Sequence, residues 1–206
     1  MAQRAPQHAR PSATARLGGV EGNARLTSAT GAVLFALLFF EGLTILQVGS
    51  LLSAHVFIGF VLIPPVLLKV VTTTWRFIQY YRGDDAYQQK GPPLALLRLL
   101  GPLVIVFTFA VFATGVALIV GAPTSWRPRL LQLHQVTFLL WFAVTAVHVL
   151  GHLAETATLA PRDWARRTRR QVDGASLRQW LSAASIAVGL VVALWLTPYA
   201  AGWTTV

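Results

Sequence analysis

The chain has 206 residues, 55% of them hydrophobic and 12% charged, with a mean hydropathy of +0.59 and a net charge of +10. Soluble domains carry roughly a quarter charged residues, so this composition excludes a soluble enzyme and, despite the basic balance, a nucleic-acid binder, and it points to an integral membrane protein. With no cysteine, disulfides, zinc thiolates, iron–sulfur clusters and covalently attached haem c are also excluded.

Residues 1–27 are rich in Ala, Arg, Gly and Ser and read as a disordered basic tail. Five apolar segments follow, at about 29–48, 51–71, 99–120, 130–153 and 181–203. Each is near the roughly 20 residues a membrane span requires. In hydrocarbon each must be a helix, because lipid offers no partner to free backbone groups. The fold class is therefore all-α, an integral membrane bundle of about five transmembrane helices. The first two spans read as a hairpin turning at Gly49 and Ser50. The connection 72–98 carries turn signals at Arg82-Gly83-Asp84-Asp85 and Lys90-Gly91-Pro92-Pro93. Pro64-Pro65 predicts a kink in the second span.

The basic residues sort by side. Tail, second connection and fourth connection hold 15 of the 17, and only Arg127 and Arg129 fall on the other side. The positive-inside rule then places the N-terminus in the cytoplasm and the C-terminus outside. The charge is a topology signal first, and contact with membrane lipid headgroups follows from it. The apolar stretch after residue 28 is too long for a cleaved signal peptide.

Ionisable residues inside spans are costly and mark function. Here they are Glu41, His55, Lys69, His134, His148 and His152. His134 and His148 are 14 residues apart on one span, which puts them within roughly 40° of the same face and about 21 Å apart along the axis. One helix so equipped supplies one axial ligand to each of two stacked haems, and the second ligands come from another helix. The second span runs parallel to the fourth, and its His55 lies at the depth of His134. That places haem sites between helices two and four. Fourteen residues below His55 stands Lys69, a candidate ligand, propionate partner or snorkelling anchor. His152 is an alternative to His148 as ligand, and the i, i+4 pair could with Glu155 form a metal site. Glu41 is a candidate for a structural hydrogen bond, or for a proton role beside a quinol.

With these histidines the chain resembles the di-haem membrane cytochromes b, such as the b subunits of respiratory dehydrogenases and hydrogenases. The resemblance covers the second to fourth spans and includes Gly101 and Gly115, also 14 apart. It implies that these glycines make room for porphyrin edges, and it departs from the family pattern at Lys69. The string Trp75 to Gly83 is similar to small cytochrome-b-like proteins of high-GC bacteria. The resemblance implies one or two non-covalent haem b groups, a bacterial cytoplasmic membrane, and exchange of electrons with quinone or a separate redox subunit. It implies an electron-transfer protein or complex subunit rather than a complete enzyme. The competing expectation is a haem-free membrane anchor or assembly protein; a small transporter is disfavoured by the lack of inverted symmetry.

Overall fold

The structure is a computed structural model that describes residues 16–91, 95–121 and 123–204. Among the described residues it is helical, with no strand. Five long helices form the bundle: α1 (Gly19–Ile45), α2 (Val48–Tyr81), α3 (Ala95–Val120), α4 (Arg127–Leu159) and α5 (Ala175–Leu196). All five are long and apolar enough to cross a membrane, so this is a multi-pass membrane protein. Large apolar side chains such as Phe39, Phe40, Phe142, Leu150 and Leu194 point outward, as expected where hydrocarbon replaces water as the solvent.

Each helix begins or ends near the expected span but runs further toward the basic end. Hydropathy is silent on those extra turns because they are polar, yet protein partners hold them. The tail expected to be disordered through residue 27 is helical from Gly19, and Asn23, Ala24, Arg25 and Leu26 are buried; residues 1–15 lie outside the described residues. Asn23 donates to the Thr72 carbonyl of α2 at 3.2 Å. Arg25 reaches Asp163 at 3.3 Å. Asp163 also receives Arg178, whose Nη2 donates to Oδ1 at 2.6 Å, while Arg178 Nη1 donates to the Leu17 and Asp173 carbonyls. Arg25, Asp163 and Arg178 are all buried. This clasp ties the start of α1, the α4–α5 connection and the start of α5 together. Arg178, one of the basic residues that the sequence counts in the fourth connection, is thus a buried structural residue.

The first hairpin turns at Leu46 and Gln47, and Gly49 and Ser50 already belong to α2. The Ser50 and Leu51 amides both donate to the Gln47 carbonyl, which completes the turn without a positive-φ glycine. Helical dihedrals persist through Pro64 and Pro65, and the departure within α2 is at Leu51 instead. Pro65 has no N–H to offer the Val61 carbonyl. That free oxygen lies against α5 at Gly189, where a Cβ would meet it at 2.4 Å. A glycine is required for the two backbones to approach this closely. Gly189→Leu should therefore prise α5 from α2 and cost about 1–3 kcal/mol, read as a lowered melting temperature in detergent; an unchanged melting temperature would contradict the packing.

The helices pair unevenly. α1 packs on α2, α3 on α4 and α5 on α2, but α2 barely touches α3. The two antiparallel hairpins α1–α2 and α3–α4 thus face each other across a gap. Trp203 Nε1 donates to the Leu118 carbonyl and its ring lies under Arg127, fixing the chain's last turn to the end opposite the clasp. Of the described lysines and arginines, Arg127 and Arg129 are the two at that end.

Candidate functional site

The gap is a cavity of about 1310 Å³, above the roughly 300–1,000 Å³ of ordinary ligand pockets. All eight residues singled out from sequence line it: Glu41, His55, Lys69, Gly101, Gly115, His134, His148 and His152. Its wall is mostly aliphatic and aromatic, with polar groups gathered toward the two ends.

At the end away from the clasp, α2 and α4 bring His55 and His134 face to edge, with ring centroids 6.4 Å apart and planes at 78°. Two imidazoles bound on opposite sides of one metal, with bonds of about 2 Å, have centroids roughly 6 Å apart. The hydrogen bonds fix which ring nitrogen is free. Thr114 of α3 donates its hydroxyl to the Ala110 or Val111 carbonyl one turn back. Its oxygen lies 3.0 Å from His134 Nδ1, so it must accept, and Nδ1 carries the proton. Likewise Thr44 donates to the Glu41 carbonyl at 2.6 Å and lies 3.1 Å from His55 Nδ1. The Glu41 carboxylate is 3.0 Å from that same nitrogen. In both histidines Nδ1 is the donor and the Nε2 lone pair is left for a ligand, the arrangement that outer partners impose on metal-binding histidines. Gly115 makes room for this ring: a Cβ there would come within 3.1 Å of His134 Cε1.

The hairpin α3–α4 holds His134 in place along its length. Trp141 Nε1 donates to Thr108 at 2.8 Å. Near the basic end, Gly151 admits Leu97, whose Cδ2 would be 2.6 Å from a Cβ. Gly101 has nothing within 4 Å of a built Cβ and faces open cavity.

The basic end is arranged differently. Lys69 does not face His148 across the gap as a free amine. Its Nζ donates to the Thr27 carbonyl of α1 at 2.7 Å, beside Gly31, where a Cβ would lie 2.9 Å away. Among the described residues His148 Nδ1 is buried with no hydrogen-bond partner, so none of them fixes its tautomer. His152 stacks at 4.8 Å from it and pairs through Nδ1 with Glu155 at 3.4 Å. Among the described residues no group of three or more histidine or carboxylate side chains is placed to hold a metal ion, so the His148, His152 and Glu155 site anticipated from spacing is not assembled.

Eight buried side-chain polar atoms lack a partner among the described residues, and four belong to residues lining this cavity: Thr27, Glu41, Thr145 and His148. Buried polar atoms are normally satisfied, and these four are unmet at the cavity wall. The partners Thr44 and Thr114 escaped notice in the sequence. The only signals were positional, Thr44 three residues after Glu41 and Thr114 beside Gly115.

Comparison with protein-family models, with curated proteins and with solved structures gives no match.

Proposed function

We propose that the protein is a transmembrane b-type cytochrome that carries electrons across or within the membrane, with one haem b held between α2 and α4. The observation that carries this reading is the His55–His134 pair, two imidazoles with centroids 6.4 Å apart whose Nδ1 protons are both committed, leaving both Nε2 lone pairs uncommitted. Two nitrogen donors make a poor cage for a bare ion, but they are the full protein share of a six-coordinate porphyrin iron. Haem b bound there would supply a one-electron iron couple.

The chain's own residues do the rest. His55 and His134 would hold the iron, with Glu41, Thr44 and Thr114 orienting them, and Gly115 leaves space beside the His134 ring. The aliphatic wall keeps water from the site. The donor set for a second haem does not fit as well: His148 lacks an orienting acceptor, and Lys69, at the depth required of its partner, is engaged with α1. Membrane quinone or a separately encoded redox subunit is the proposed electron partner, since the loops are too short to carry a flavin or nicotinamide domain. Acid-acetone extraction of the purified protein should release one haem b per chain; colourless protein from haem-replete cells would favour the haem-free anchor instead.

The proposed orientation puts the clasp end in the bacterial cytoplasm, on the strength of the basic asymmetry. A reporter fused after Val206 should be active only in a form that works outside, and one inserted near Asp173 only in a form that works inside. The reverse pattern would invert the assignment.

A further inference from the structure

The clasp end of the cavity carries more positive charge than the chain balances. Lys69, Arg76, Lys90 and Arg98 all line it. Arg76 makes no hydrogen bond and no ion pair among the described residues. Among the described residues Arg98 donates to the Tyr81 hydroxyl alone, at 2.6 Å. Lys69 reaches only a backbone carbonyl. Two carboxylates serve this group. Glu155 interacts with Lys69, Arg76 and Lys90 but is already paired with His152. Glu21 stands 3.9 Å from Lys90 and is shared with Arg25 and Arg162. Burial, followed by the nearby Arg76, holds the Lys90 amine below its usual range.

Below this rim the cavity wall is mostly apolar. Ile63, Phe112 and Val116 line both the cavity and a second, apolar hollow of about 480 Å³ between α2 and α3, the two helices that barely touch. A cationic rim above a mostly apolar chamber, beside two helices that barely touch, suits a membrane amphiphile with an anionic head. We infer that the clasp end of the cavity seats the phosphate of an acidic phospholipid among Lys69, Arg76, Lys90 and Arg98, with its acyl chains entering between α2 and α3. Basic pockets between transmembrane helices bind acidic headgroups by this chemistry, and arginine matches phosphate geometry in particular. The phosphate end of the site lies at the opposite end of the cavity from the His55–His134 pair and does not depend on haem.

The test uses the full chain purified in mild detergent, washed by detergent exchange, and assayed in the same sample for bound phospholipid by mass spectrometry and for haem. The expected result is one acidic phospholipid retained per chain. After harsher delipidation, phosphatidylglycerol vesicles should reload it, while phosphatidylcholine vesicles should not, and inorganic phosphate should not displace it. Arg76→Gln with Lys90→Gln should weaken retention roughly 30-fold, about five-fold for each charge lost, whereas Arg76→Lys should retain the lipid. Gel filtration checks that each variant is monodisperse; if the double variant does not fold, the wild-type reloading arm decides. No retention and no reloading, equal retention by the folded double variant, or displacement by inorganic phosphate alone would each overturn the proposal. So would two haems per chain with one lost in the double variant, because the cations would then serve porphyrin carboxylates. Colourless protein that still retains the lipid would sink the haem reading and leave this one standing.

Discussion

Asp163→Ala is expected to lower stability by about 3–5 kcal/mol, the cost of leaving buried charge without its counterion. Asp163 is the one carboxylate between Arg25 and Arg178, and their side chains are only 1–3% exposed. Removing it leaves the Arg178 guanidinium with backbone carbonyls alone and Arg25 with Glu21 and the Thr168 carbonyl, and it cuts the link between α1, the α4–α5 connection and α5. Asp163→Asn keeps an acceptor in place and should lose less. Thermal unfolding in detergent, followed by tryptophan fluorescence, should show a drop of more than about 6 °C for the alanine variant. A melting temperature within about 2 °C of wild type would mean that the clasp does not hold the basic end together.

His55→Ala and His134→Ala are each expected to abolish haem retention, while His148→Ala leaves it intact. The asymmetry follows from hydrogen bonding. Glu41, Thr44 and Thr114 fix Nδ1–H on the first two rings, and no described residue does so for His148. Thr114→Val removes only the acceptor behind His134 and should weaken haem affinity about 10–100-fold without removing the ligand. Haem content after detergent washing, measured by pyridine haemochrome, separates these outcomes. Loss of haem in His148→Ala with retention in His55→Ala would move the site to the opposite end of the cavity.

Much of this architecture is legible in the sequence, and the limits have physical causes. Apolar runs mark five helices because hydrocarbon forces each to satisfy its own backbone. They misplace the ends, because Gly19–Ser28 and Thr72–Tyr81 are polar turns held by protein partners such as the Asn23–Thr72 bond, which hydropathy cannot register. The matched depth of His55 and His134 could be counted from the spans, since both lie near the same end of parallel helices. The same count put Lys69 opposite His148, but its amine turns to a backbone carbonyl on α1, and backbone acceptors leave no trace in residue identity. Arg178 looked like one more loop arginine, because only the folded connection brings Asp163 beneath it. Gly189 belongs to no periodic pattern; its need arises from Pro65 freeing the Val61 carbonyl on a different helix.

The most direct measurement is low-temperature electron paramagnetic resonance of the oxidised protein, purified from haem-replete cells, alongside its reduced-minus-oxidised visible spectrum. A single low-spin haem b with two imidazole ligands, one per chain, is the predicted result. A chain without haem, or a high-spin signal showing that His55 and His134 do not both bind the iron, would contradict the account.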